Sequence, residues 1–371
     1  MEQIRNKIIT ISGEPASGKS TVVKYLNENY SKNGFKVHII STGEIFRKVA
    51  TREYQKMYPD REIPSIADIQ ADKAFAEKRG EIDGMIDGEI KALGIKINSE
   101  ERPDDVYIID SRLAWHNIPS SFAVRLTVNK KIAGKRVFND ETRGEEDQYS
   151  SLSEAIEKTE QRKLGEIERY KERYGVDLAN PENYRLIVDT SYANPQELAK
   201  IIIDGEEHFR TQKYYPKTWT SPAQFLPIQD LRQTTFNKSK VFKDIVNCIK
   251  QIGYEPFLGE IDVDEYDGAL YIKDGNHRTF ATLSNGLTLL PYSVTKVESG
   301  KPPVDINSPL YMKTLYDWVE GLQYYGGKIG NITQYKNFGI RDLASIENVP
   351  IAREVLKLNK KEPSTPTENG R

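Results

Sequence analysis

The chain has 371 residues, a formal net charge of −2 and a single cysteine, Cys248. The near-balance of charge argues against a surface that grips polyanions chiefly through phosphate neutralisation, and a lone cysteine excludes an intramolecular disulfide. No apolar run reaches the length of a membrane span, and no basic-then-apolar leader stands at the amino terminus, so a cytoplasmic setting is expected and a membrane partner is not.

Along the chain, strand and helix patterns alternate through the first half. The apolar run Ile8–Ser12 predicts a buried strand, and the apolar side of Val22, Val23 and Leu26 predicts a helix from Lys19 to about Asn33, closed by Gly34. A second strand is expected at Lys36–Ile40, then a helix from about Glu44 to Arg52. Residues 54–104 are polar and mainly helical in pattern. Strands at Val106–Asp110 and Phe122–Val128 follow, and Ser151-Leu-Ser-Glu154 resembles a capping box ahead of a charged helix reaching about Tyr174. Tyr184–Asp189 completes five strands, and Asn194-Pro195 opens another helix with an N-cap and an N1 proline. Such β-α repetition predicts a parallel sheet between helical layers.

Near residue 210 the character changes. The aromatic, proline-broken stretch 208–220 predicts a linker between a first domain (1–207) and a second (221–300), with a helical extension (301–356) and a disordered tail (357–371) beyond. An amphipathic helix is expected at Val241–Ile252, strands near Phe257–Val263, Leu270–Lys273 and Leu289–Val294, and a short helix from His277. Cys248 falls on the first of these helices and is expected in a core. The aromatic group Tyr311, Tyr316, Trp318, Tyr324 and Tyr325 is expected to pack rather than to stack on bases.

The strongest motif is Gly13-Glu14-Pro15-Ala16-Ser17-Gly18-Lys19-Ser20, which fits G-x-x-x-x-G-K-[ST] between a strand and a helix. Glycines let backbone N–H groups turn inward on phosphates, and the following helix adds its positive end. Lys19 is expected to reach the β and γ phosphates and Ser20 to ligate Mg²⁺, with Thr21 beside it, so ATP and Mg²⁺ are the implied cofactors. Further on, Arg162, Glu166 and Arg169 stand at i, i+4 and i+7, on one face of a helix. By charge pattern alone that helix is also a good solvated surface helix.

These residues resemble the cytidylate kinase-like nucleoside monophosphate kinases over about 6–205. The likeness rests on the phosphate loop, on "STGEIFR" (41–47), on "IIDSRLAW" (108–115) and on "RYKERYGVDLANPENYRLIVDTS" (169–191). It implies that Ser41, Gly43, Arg47 and Arg112 hold the acceptor monophosphate, and that Arg162 and Arg169 form a lid pair held by an acid. It also implies that Arg136 packs over the ATP base; Asp110, at the end of a strand, is expected to orient Mg²⁺ through water or Ser20. Asp110 is equally placed for an ordinary strand-end turn. Glu166 stands where the family carries aspartate, Ser111 where it carries glycine, and 54–104 has no close counterpart.

The stretch 270–294 resembles the ParB/sulfiredoxin-like superfamily, in which a strand, a tight turn and a helix N-terminus bind an anion. Asp274, Gly275, Asn276, His277 and Arg278 are the expected anion site, or else surface and cap residues of a structural domain. The expected fold is thus α/β, a phosphate-loop kinase with a five-stranded parallel sheet and helical lid, followed by a smaller α+β ParB-like domain. The expected reaction is transfer from ATP to a small nucleotide acceptor, CMP or dCMP. Two rivals stand beside it: a kinase for a hydroxyl on a modified base or nucleic-acid end, and a nucleotide-gated ParB-like binding protein. Net charge does not favour nucleic acid as the partner, and oligomeric state is not encoded in any of these features.

Overall fold

A computed structural model describes residues 6–140, 149–226, 240–266 and 269–299. Two compact units divide the chain between Trp219 and Thr220. The aromatic group 311–325 and the expected tail lie outside the described residues.

In the first unit, β1 (Lys7–Gly13) is buried along its whole length, as a strand covered on both faces must be. Helix α1 (Lys19–Lys32) buries Val22, Val23, Leu26 and Tyr30, the spacing of one helical face. Next come β2 (Lys36–Ser41) and α2 (Thr42–Met57), which Ser41 caps by accepting a hydrogen bond from the Glu44 amide at 3.2 Å. The polar stretch after it folds as α3 (Ile66–Ala71), α4 (Lys73–Glu77) and α5 (Arg79–Ser99). On α5, Ile82, Ile86, Ile90 and Ile97 face one way and close a core with Val49, Tyr54 and Phe75.

β3 (Asp105–Asp110), α6 (Ala114–Asn117), β4 (Phe122–Thr127), α7 (Lys130–Phe138) and α8 (Leu152–Tyr174) follow. A Cβ on Gly134 of α7 would lie 2.7 Å from the Ile156 Cα on α8, so only glycine lets these two backbones approach so closely. β5 (Leu186–Asp189) and α9 (Pro195–Arg210) come next, and β6 (Thr218–Thr220) closes the series.

The sheet of this unit runs β2-β3-β1-β4-β5-β6, with every pair parallel. The expected count of five strands is therefore corrected to six. The sixth lies inside the stretch 208–220, where the sequence predicts a linker. Trp219 is 1% exposed, Tyr215 stacks on it at 5.8 Å, and the Tyr215 hydroxyl donates to the Ile201 carbonyl at 2.9 Å. Aromatic burial against α9 outweighs the breaking effect of Pro216. Strand order reverses at β1, between β3 and β4, and ligands of open α/β sheets bind outside the carboxyl ends at such a point. The glycine-bounded loop follows β1, and Asp110 ends β3 in register with Ile11 and Ser41.

The second unit contains β7 (Phe225–Leu226), α10 (Lys240–Ile252), β8 (Ile261–Tyr266), β9 (Ala269–Asp274), α11 (Asn276–Ser284) and β10 (Leu290–Glu298). β8 and β9 are antiparallel, while β10 joins β8 and β7 joins β9 in parallel. The strand expected at Phe257–Val263 begins later, because Pro256–Leu258 forms a 3₁₀ turn. Cys248 is half-buried on α10. No described helix is long and apolar enough to cross a membrane.

Candidate active site

A cleft of about 410 Å³ opens over the loop after β1, lined by Pro15 to Thr21, Asp110, Arg112, Arg136, Thr159 and Arg162 among others. The loop builds it from the backbone. Gly18 takes a left-handed φ of 81° at the start of α1, which glycine adopts without strain. A Cβ on Gly13 would stand 2.5 Å from Ser17 Oγ and 2.9 Å from Lys19 Cγ, so this glycine makes room for the lysine. Lys19 Nζ donates to the Gly13 carbonyl at 3.4 Å. Burial lowers its pKa to about 8; Arg112 adds to the effect, while Asp110 and Glu166 oppose it.

The residues fit a bound triphosphate with its metal. Ser17 Oγ is buried and has no hydrogen-bond partner, an unsatisfied polar group in the wall of the loop. Asp110 and the exposed Ser20 line the same cleft. A hydroxyl and a carboxylate, both oxygen donors, suit Mg²⁺.

Three cationic side chains from separate elements join Lys19 there. Arg112 follows β3 and gives a two-point pair to Glu166 of α8, through Nε to Oε2 and through Nη2 to Oε1 at 2.8 Å. Burial opposes the Arg112 charge, but the paired carboxylate outweighs it and holds the guanidinium above its usual pKa. On Glu166, burial pushes the carboxyl up, and Arg112 together with Arg162 and Lys19 more than reverses this. Arg162 Nε lies 3.5 Å from Glu166 Oε1, and its more exposed side chain lines the cleft. Arg136 donates to the carbonyls of Ala16 at 3.0 Å and Thr190 at 2.6 Å, so it ties the loop to the end of β5.

Several expected residues fall elsewhere. Arg169 does not line this cleft; it is exposed, with its guanidinium 5.4 Å from the Tyr170 ring centre. The Glu14 side chain turns away from the cleft into the protein. Its Oε2 accepts from the Val128 amide at 3.2 Å, and its Oε1 meets Arg125 at 3.2 Å and Lys163 at 3.3 Å. Arg47 is exposed on α2, and Ser41 serves as that helix's cap. A Cβ on Gly43 would lie 3.7 Å from Arg47 Nη1, within ordinary contact.

In the second unit, Arg278 is engaged internally rather than offered to an anion. It donates to the Leu258 and Glu260 carbonyls at 2.9 and 2.7 Å and pairs with Asp274 at 2.7 Å. Gly275 leads into α11, Asn276 is buried, and His277 packs 6.0 Å from Phe242 with its pKa lowered by burial.

Sequence reasoning missed Arg125, Lys163 and Thr190. Thr190 Oγ1 lies 2.9 Å from the Ser17 carbonyl and so supports the loop from below. Arg125 carried a usable signal: a charged residue inside the apolar run of β4 demands a buried partner.

Residues 8–192 match the Cytidylate kinase-like family. A cytidylate kinase of Methanocella arvoryzae is 31% identical over 55% of this chain and 98% of its own length. A cytidylate kinase of Sulfurisphaera tokodaii is 30% identical over 53% of this chain and 92% of its own. An S-adenosylmethionine-dependent nucleotide dehydratase of Lacinutrix mariniflava is 30% identical over 54% of this chain, but the match spans 36% of that protein. Through its amino-terminal half, the chain belongs to the cytidylate kinase-like family and is a nucleotide kinase-type phosphotransferase.

Proposed function

We propose that the amino-terminal unit transfers the γ-phosphoryl group of ATP to a nucleoside monophosphate, CMP or dCMP. The observation that carries this reading is the convergence of Lys19, Arg112 and Arg162 on one cleft over a phosphate loop, with Asp110 beside them. Transfer between two anions needs positioning and charge neutralisation more than it needs a strong base. In this reading the loop amides and Lys19 hold the β and γ phosphates, Arg162 neutralises charge on the transferring group, and Arg112 and Arg47 draw the acceptor phosphate in. Ser20 and Asp110 would hold Mg²⁺, which would supply charge neutralisation to the triphosphate. The family and the names of two relatives support cytosine as the acceptor base.

The carboxy-terminal unit enters as a ParB/sulfiredoxin-like module, a reading supported by the strand, turn and helix of β9, Gly275 and α11. With Arg278 engaged by its own unit, no role in the transfer is assigned to it.

The test is a panel of ribo- and deoxyribonucleoside monophosphates, hydroxylated nucleosides and DNA or RNA oligomers with γ-labelled ATP. Label on CMP or dCMP is the expected result. If every monophosphate stays unlabelled while a polymer is labelled, the acceptor is a hydroxyl and the proposal fails.

A further inference from the structure

Beside the cleft, helix α8 meets the body of the amino-terminal unit in two ion pairs of opposite polarity, and a third, Arg173 to Asp83 at 2.8 Å, lies near its carboxyl end. At one, the helix supplies the cation: Lys163 Nζ lies 3.3 Å from Oε1 of Glu14, the second residue of the phosphate loop. At the other, it supplies the anion: Glu166 takes Arg112 in the two-point pair. The two helix residues are three positions apart, about 4.5 Å along the axis.

That polarity specifies register. Sliding α8 by one turn in one direction would set Arg162 against Arg112, like against like. In the other direction it would set Ile167 against the Glu14 carboxylate. Neither alternative satisfies the buried charges. Arg162 adjoins Lys163 in sequence, is held to Glu166 at 3.5 Å and lines the cleft in the register observed.

The Glu14 end is built to bear on the loop. Its side chain is 9% exposed, and it already accepts from the Val128 amide and from the equally buried Arg125. A charge pair at such a site is weakly screened, unlike one on an open surface. The competing partner of Lys163, Glu160 on the same helix, is farther away at 3.9 Å.

We propose that Lys163 is a positioning residue: through Glu14 it fixes α8 on the phosphate loop so that Arg162 faces the bound triphosphate. The inference rests on the reading of the cleft as a triphosphate site, but not on the identity of the acceptor.

The experiment is an equilibrium titration of the full chain with the Mg²⁺ complex of β,γ-imido-ATP. Five proteins are compared: wild type, Lys163→Met, Lys163→Arg, Arg162→Ala, and the Lys163→Met/Arg162→Ala double variant. Lys163→Met and Arg162→Ala are each expected to weaken binding about 5- to 20-fold. The double variant should lose no more than about twofold beyond Arg162→Ala, and Lys163→Arg should stay within about twofold of wild type. A purely structural lysine would give losses that multiply in the double variant. That result, or wild-type affinity in Lys163→Met, overturns the inference; Lys163→Gln repeats the cycle if the methionine variant folds poorly. Failure of the proposed function has a different signature: wild type binds the analogue but labels no monophosphate. A wild type that binds no analogue overturns both.

Discussion

Arg112 and Glu166, 54 positions apart in sequence, meet in a two-point ion pair that joins the end of β3 to the middle of α8. Their side chains are 20% and 14% exposed, so neither charge is fully screened by water. Removing one partner leaves the other charge partly buried and uncompensated. Glu166→Gln is expected to lower stability by about 1–3 kcal/mol, below the range for fully buried pairs because some water reaches this one. The sign with pH follows from the carboxyl's lowered pKa: its contribution is present above the unfolded value near 4.5 and is lost as pH falls below it. Urea titrations at pH 7 and pH 4 check both points. The gap between variant and wild type should be larger at pH 7 than at pH 4, and equal midpoints at pH 7 would show that the pair contributes nothing.

Lys19 gives a second pH dependence, this time in binding. Its pKa of about 8 means that in the free protein the ammonium is charged below pH 8 and increasingly neutral above it. A triphosphate selects the charged form, so binding should be accompanied by proton uptake that is small at pH 6.5 and approaches half a proton at pH 8. Affinity should fall above pH 8, by at most about tenfold per pH unit. Calorimetry with ATP in two buffers of different ionisation enthalpy measures the uptake directly. Lys19→Met should abolish this pH dependence together with most of the affinity. Uptake that is absent from wild type at pH 8 would contradict the assignment of Lys19 to the phosphates.

Much of the first unit was legible in the sequence because local signals agreed with one another. The G-x-x-x-x-G-K-[ST] spacing, the apolar strand before it and the apolar stripe after it all demand strand, loop and helix, and they form at Lys7–Lys32. The Ser151 cap also forms, with the Glu154 amide donating to Ser151 Oγ at 3.2 Å, while the Glu154 carboxylate accepts from the Ser150 amide at 2.8 Å instead of closing a full capping box on Ser151.

What escaped was long-range pairing. The i, i+7 spacing puts Arg162 and Arg169 on one face of α8, but seven residues advance about 10.5 Å along the axis. Arg169 is thereby carried past the cleft and onto Tyr170. Glu14 stands inside a motif expected to act through its backbone amides, and nothing local shows that its side chain has partners on β4 and α8. Arg278 stands in a tight turn that suggests an anion ligand, because nothing local indicates that the 258–260 carbonyls return to meet it. In each case the charge was visible and its partner was not.

The first unit also holds a buried acid away from the cleft. Glu206 of α9 is 3% exposed, its Oε1 lies 3.5 Å from Arg210 Nε, and the nearby Tyr30 hydroxyl is buried without a hydrogen-bond partner. Burial raises the carboxyl to about 7, although Arg210 and Lys7 pull the other way. A raised carboxyl pKa means that the folded state holds the proton between the unfolded value near 4.5 and pH 7. This contribution to stability is therefore greatest below about 4.5 and declines as pH rises through 7, by at most about 3 kcal/mol. Glu206→Gln removes the titration but leaves Arg210 without its carboxylate, so its absolute stability can lie on either side of wild type. The difference between the two proteins is the sensitive quantity. Measured by urea unfolding at pH 5, 6, 7 and 8, it should move in favour of glutamine by about 1–3 kcal/mol across that range. A difference that stays constant from pH 5 to pH 8 would mean that Glu206 titrates in the folded protein as it does in the unfolded chain.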